Sequence, residues 1–107
     1  MNTKFYYNVI DTETGENIGF LATTRQRNEA QYVATNIQPR SVNLAYNYAE
    51  IETDTGLCIG VMSSTYAMTG SQYILIPSYN EDYMDRYYLN GSWYEDAAGT
   101  IPWSPEE

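Results

Sequence analysis

Residues 10–19 read Ile-Asp-Thr-Glu-Thr-Gly-Glu-Asn-Ile-Gly, and residues 51–60 read Ile-Glu-Thr-Asp-Thr-Gly-Leu-Cys-Ile-Gly. The two stretches are offset by 41 residues and share six identities, with Asp11 answered by Glu52 and Glu13 by Asp54. Both are entered through aromatics, Phe5 and Tyr7 or Tyr46 and Tyr48, and left through Phe20 or Val61. Apolar and polar residues alternate into a Thr-acid-Thr-Gly corner and alternate again out of it, the pattern of a β-hairpin. A type I turn closed by a left-handed residue suits this corner, and Gly15 and Gly56 suit the left-handed position because they carry no Cβ. A calcium loop is the rival reading. Each turn offers two or three acids, and their spacing matches no EF-hand loop.

Around these hairpins, strands are expected from about Lys4 to Asp11, Glu16 to Leu21, Ser41 to Glu52 and Leu57 to Met62. Between the hairpins the period changes. Ala30, Val33, Ala34 and Ile37 lie at helical spacing, so a short helix over 25–37 is predicted, capped by Thr23 or Thr24 and ended by Pro39. After the second hairpin, Tyr73-Ile74-Leu75-Ile76 is a continuous apolar run that predicts a strand buried on both faces. Tyr79, Tyr83 and Tyr87 stand four apart and would share one face of a helical turn. Asn90-Gly91, between Tyr87-Tyr88-Leu89 and Ser92-Trp93-Tyr94, predicts a tight hairpin with a type I′ turn. Residues 97–107, with Pro102 and Pro105, read as an extended tail. The expected fold class is therefore α+β, a single domain over 1–107 dominated by antiparallel sheet. The alternative is an all-β sandwich in which 25–37 is an irregular crossover.

Composition narrows the chemistry. The chain has 107 residues, which suits one domain. Twelve tyrosines, two tryptophans and two phenylalanines favour half-buried strand surfaces and argue against disorder. Fourteen acids face five bases, a net charge of −9, which disfavours direct nucleic-acid binding and suits either a basic protein surface as partner or the solubility of an aromatic-rich chain. Cys58 is the single cysteine and reads as a small core residue in a reducing compartment. No basic-then-apolar leader and no membrane-length apolar run is present. A chain made and kept in a reducing compartment, or assembled into a particle there, is expected.

Histidine is absent, which removes the commonest general base and the commonest zinc ligand. No phosphate-binding or dinucleotide fingerprint occurs. Only the acid groups Glu81, Asp82 and Asp85, or Glu95 and Asp96, could pair as acid and base, and both groups sit in segments that read as exposed. The chain is expected to be no enzyme and to need no cofactor or metal. The richest signal lies in the last third, where acids 81, 82, 85, 95, 96, 106 and 107 interleave with aromatics and face Arg86 alone. Tyr87, Tyr88, Trp93, Tyr94, Glu95, Asp96 and Trp103 are the candidate partner-binding residues, with aromatics as anchors and acids at the rim; the alternative is a hairpin and tail that pack their aromatics on the protein's own core.

The segment Tyr87-Tyr88-Leu89-Asn90-Gly91-Ser92-Trp93-Tyr94-Glu95-Asp96, continuing to Trp103, resembles segments of small bacteriophage proteins, including tail and tail-fibre-associated ones. In these a Tyr-Tyr…Gly-x-Trp-Tyr-Glu-Asp hairpin precedes an acidic end. The likeness rests on turn residues and aromatics over about a sixth of the chain and carries no catalytic residues. It implies a structural protein of the virion, a head, neck or tail component acting through contacts with other protein chains, in which oligomerisation is open. The alternative is an acidic host-directed inhibitor that mimics nucleic acid in a basic groove.

Overall fold

Gly15 and Gly56 have φ of 74° and 81°, so both turn glycines occupy the left-handed region that the Thr-acid-Thr-Gly corner requires. The computed structural model describes residues 4–27, 32–34 and 43–105. In each turn the glycine N–H donates to the backbone carbonyl of the residue at the start, Gly15 to Asp11 and Gly56 to Glu52, both at 2.7 Å. Each corner joins two strands, β1 (Phe5–Ile10) to β2 (Asn17–Thr23) and β4 (Tyr46–Ile51) to β5 (Cys58–Ser64).

The duplication extends beyond the hairpins. Two further strands follow, β3 (Tyr32–Ala34) and β6 (Tyr73–Leu75). β3 pairs antiparallel with β1 by Tyr7–Ala34 and Val9–Tyr32, and β6 pairs with β4 by Tyr48–Leu75 and Glu50–Tyr73. Every pairing in the first unit recurs in the second at the 41-residue offset, including the irregularity after Val9 and after Glu50. The six strands form one sheet in the order β3-β1-β2-β5-β4-β6, and all the pairings are antiparallel. That order is symmetric about its centre. β2 meets β5 with Leu21 opposite Met62, which are themselves repeat mates, so a pseudo-two-fold axis passes between them.

This axis explains the second duplicated glycine. A Cβ on Gly19 would stand 2.4 Å from the Ser63 carbonyl oxygen, and one on Gly60 would stand 3.0 Å from that of Ala22. Both glycines therefore serve the close approach of the two units. Side chains repeat too. The Arg27 N–H donates to the Tyr7 hydroxyl (2.9 Å), and the Met68 N–H donates to the Tyr48 hydroxyl (3.1 Å).

Strand alternation gives the sheet two buried faces. Tyr7, Val9, Leu21, Tyr32 and Met62 form one apolar cluster. Phe20, Ala22, Ala49, Ile51, Cys58 and Val61 form the other, covered by Ile76, Tyr79, Tyr83 and Met84. A flat six-stranded sheet would hold its edges about 24 Å apart. Here Tyr73 on one edge strand packs against the cluster that holds Tyr32 of the other, so the sheet curls around that cluster.

Three expectations are corrected. Tyr32–Ala34, predicted within a helix, is a strand: pairing with β1 outweighs a helical pattern whose apolar face was two alanines and two branched residues. Ala30 and Ile37 lie outside the described residues. The described part of the fold is mainly antiparallel sheet, with one 3₁₀ turn at Glu81–Tyr83 as its helical element. The run at Tyr73–Leu75 is an edge strand, and Leu75 is 68% exposed. Tyr79 and Tyr83 are buried together, but Tyr87 belongs to β7 (Tyr87–Leu89) rather than to a shared helical face.

Candidate functional site

β7 and β8 (Ser92–Tyr94) form the expected hairpin. Asn90 and Gly91 have φ of 51° and 83°, the two positive values of a type I′ turn. The chain then folds back. Gly99 (φ 71°) reverses it, the Glu95 N–H donates to the Ile101 carbonyl (2.8 Å), and the Trp103 N–H donates to the Trp93 carbonyl (3.0 Å). Residues 101–103, expected as part of an extended tail, thus line β8 as a third extended segment. Glu106 and Glu107 lie outside the described residues.

Asp96 builds this return. Its carboxylate accepts from the N–H groups of Thr100 and Ile101, both at 3.0 Å, and from the Thr100 hydroxyl. The Thr100 hydroxyl bond is the chief cause holding the Asp96 carboxyl below its ordinary range. Asp96 is a loop-closing residue as well as a rim acid. Glu95 is exposed beside it.

The aromatics divide between core and surface. Tyr83 is buried at the centre of the layer, with Trp93 and Trp103 edge-on to it at 5.0 and 5.1 Å. Tyr88 packs on Trp93 at 5.0 Å. Tyr88, Trp93 and Trp103 all touch the cluster under the sheet, so each is half internal packing and half surface. Tyr87 and Tyr94 face one another across the hairpin and are half-buried. Arg86 lays its guanidinium 4.9 Å over the Trp103 ring, a cation–π contact. Asp82, Arg86, Glu95, Trp103 and Ser104 line an open cleft of about 470 Å³. Sequence reading groups Trp103 and Glu95, and the fold adds Asp82, Arg86 and Ser104 to them.

Of the acids weighed as catalytic pairs, Glu81 and Asp96 are used by the fold. Glu81 accepts from the hydroxyls of Tyr79 (2.9 Å) and Tyr6 (3.2 Å) and meets the Lys4 ammonium at 3.4 Å. Burial first, and Glu81 second, push the Tyr79 and Tyr6 phenols upward. Burial likewise pushes the Cys58 thiol up to about 12, and its Sγ–H points to the Gly60 carbonyl. Among the described residues no group of three or more acids and cysteines is placed to hold a metal ion. No helix of the described chain is long and apolar enough to cross a membrane.

A second polar constellation escaped the sequence reading. Arg27 pairs with Glu50 inside the curled face, their side chains 14% and 8% exposed. The Arg27 guanidinium also stands 5.3 Å over the Tyr32 ring, and its Nε has no hydrogen-bond partner among the described residues. The repeat mates of these two residues are Met68 and Val9, which lie in the apolar cluster. The same place in the scaffold is therefore built once with hydrocarbon and once with an ion pair. The signal was available: extending the 41-residue offset aligns Tyr32 with Tyr73 and exposes both exchanges.

Compared with protein-family models, with curated proteins and with solved structures, the chain gives no match.

Proposed function

We propose that this chain is a non-enzymatic structural protein of a bacteriophage virion, a head, neck or tail component that works by contacts with other proteins. The observation that carries the reading is the layer formed by Tyr87 to Trp103. Its two tryptophans, Trp93 and Trp103, pack edge-on against Tyr83 beneath them, which orders them before any partner arrives. Pre-ordered aromatic side chains lose little entropy on association. Glu95 and Asp82 line the cleft and are exposed, and exposed acids favour a basic partner and set encounter rate and salt dependence. The resemblance of this segment to small phage tail proteins supports the same reading.

Mass spectrometry of particles purified from the phage that encodes the chain tests it. Stoichiometric presence is expected. Clean absence, together with capture of a basic host protein, would replace the reading with that of an acidic inhibitor. At residue level, Glu95→Gln with Asp82→Asn should reduce the salt dependence of partner binding and leave the fold intact, because neither side chain forms an ion pair among the described residues.

A further inference from the structure

The pseudo-symmetry is broken at the outer end of each hairpin, and the break points to a second docking surface. In the second unit the chain beyond the 3₁₀ turn lies along the edge of β5. The Cys58 N–H donates to the Arg86 carbonyl (2.8 Å), the Asp85 N–H donates to the Cys58 carbonyl (3.0 Å), and the Tyr88 N–H donates to the Gly56 carbonyl (2.8 Å). Leu57 and Tyr87 form an antiparallel bridge there. The site beneath is apolar: Ala49, Cys58 and Val61 are buried against Tyr83 and Met84.

In the first unit the corresponding positions are Gly15 for Gly56, Asn17 for Cys58, Asn8 for Ala49 and Phe20 for Val61. The register is the same, so the N–H and C=O of Asn17 and the C=O of Gly15 are directed as those of Cys58 and Gly56 are. Among the described residues no segment pairs with them. A Cβ on Gly15 would meet nothing within 4 Å, whereas one on Gly56 would meet the Tyr88 carbonyl oxygen at 2.5 Å. In place of the docked strand there is a cleft of about 290 Å³ lined by Asn8, Asn17, Phe20, Leu44 and Thr65. Leu44 is 42% exposed.

We propose that this cleft accepts an extended, basic segment of another protein, which adds to the edge of β2 as Asp85 to Tyr88 add to β5. The inference rests on the reading of the chain as a protein-binding component and names a second surface and the chemistry of its partner. Strand addition takes its affinity from main-chain hydrogen bonds and its selectivity from alternate side chains. Alternate residues of the incoming strand would reach Phe20 and Leu44, while the others meet the turn. That turn carries Asp11, Glu13 and Glu16, none in an ion pair among the described residues. In the other turn Arg25 pairs with Glu52 (2.8 Å), which leaves Asp54 as its one acid outside an ion pair among the described residues, and Tyr66 stands at the first turn's equivalent of Arg25. Three unpaired carboxylates favour lysine and arginine on the partner. They disfavour the C-terminal hairpin of a second copy, which brings acids of its own.

The test uses the full chain and a seven-residue probe, acetyl-Lys-Val-Lys-Tyr-Lys-Val-Lys-amide, with a glutamate-for-lysine peptide as control. Amide chemical shifts are followed by NMR. The lysine peptide should move Gly15 to Gly19 and Thr65 selectively and protect the Asn17 amide from exchange. The double variant Glu13→Lys, Glu16→Lys, at exposed positions, should weaken binding by about ten-fold or more. Asn17→Pro removes the outward N–H at the first residue of a strand, where proline is tolerated, and should also weaken binding while the core signals stay unchanged. Shifts scattered over all acidic surfaces, binding that survives both variants, or no binding would each overturn the proposal. Particle incorporation with a silent cleft would refute this surface alone, whereas cleft binding without incorporation would refute the virion reading alone.

Discussion

Replacing the buried ion pair by its own repeat mates should leave the protein as stable as before or more stable, although either replacement alone should remove a large part of its stability. Glu50→Val leaves the Arg27 guanidinium in a site where its side chain is 14% exposed, with the Tyr32 ring as its remaining neighbour in the pair's environment. Removing one partner of a buried pair typically costs about 3–5 kcal/mol. A domain of this size has about 5–15 kcal/mol in total, so much of the stability goes with one carboxylate. Arg27→Met leaves Glu50 equally uncompensated at 8% side-chain exposure. The double variant Arg27→Met, Glu50→Val recreates the Met68 and Val9 environment that the scaffold already accommodates across the pseudo-axis. Exchanging a buried pair for packed hydrocarbon is commonly neutral or stabilising by about 1–4 kcal/mol. Urea denaturation of the four proteins gives the coupling free energy directly. Expected single-variant losses are about 3 kcal/mol or more, with a double variant at or above the parent. A double variant that loses the sum of the two singles would refute the reasoning, because it would mean that each ion is stabilised separately and that the two sites are not equivalent.

Further outcomes follow from the same asymmetries. Gly15→Ala should cost about 1–2 kcal/mol from positive φ alone, while Gly56→Ala should cost about 1–3 kcal/mol more because its Cβ strikes the Tyr88 carbonyl; thermal melts of the two variants compare them. Gly19→Ala should be more damaging than Gly60→Ala, given 2.4 Å against 3.0 Å to facing backbone oxygen; urea midpoints order them. Cys58, its thiol pushed up to about 12 and fully buried, should resist iodoacetamide at pH 8 in the native protein and react readily in urea. Asp96 is held below its ordinary range in the fold, so its contribution is present above the unfolded carboxyl value and is lost as pH falls through the folded one. The amide signals of Thr100 and Ile101 should therefore move together in an acid titration, and Asp96→Asn should abolish that step.

The proteins' turns were legible in the sequence because turn chemistry is local. Gly15, Gly56, Gly91 and Gly99 sit at positive φ, and the first three stand in motifs whose type can be read from four adjacent residues. The duplication was legible for the same reason, and with it the two hairpins. The aromatic and acidic character of Tyr87 to Trp103 was also visible, since it is composition. What the tertiary structure alone decided are the relations between distant residues. Tyr32–Ala34 has a helical spacing of small residues, and only the open edge of β1 makes it a strand. Tyr73–Leu75 is apolar enough for a sheet centre, yet it ends at an edge because β4 has its other side filled by β5. Trp103 reads in sequence either as a partner anchor or as a cap on the core, and it is half core because Tyr83 and Arg86, distant in sequence, lie beneath and beside it. The Arg27–Glu50 pair and the open cleft beside Asn17 arise from strand order and curl. Neighbouring residues fix how a chain turns, but which strand edges meet is set by the free energy of burying both faces of the sheet at once.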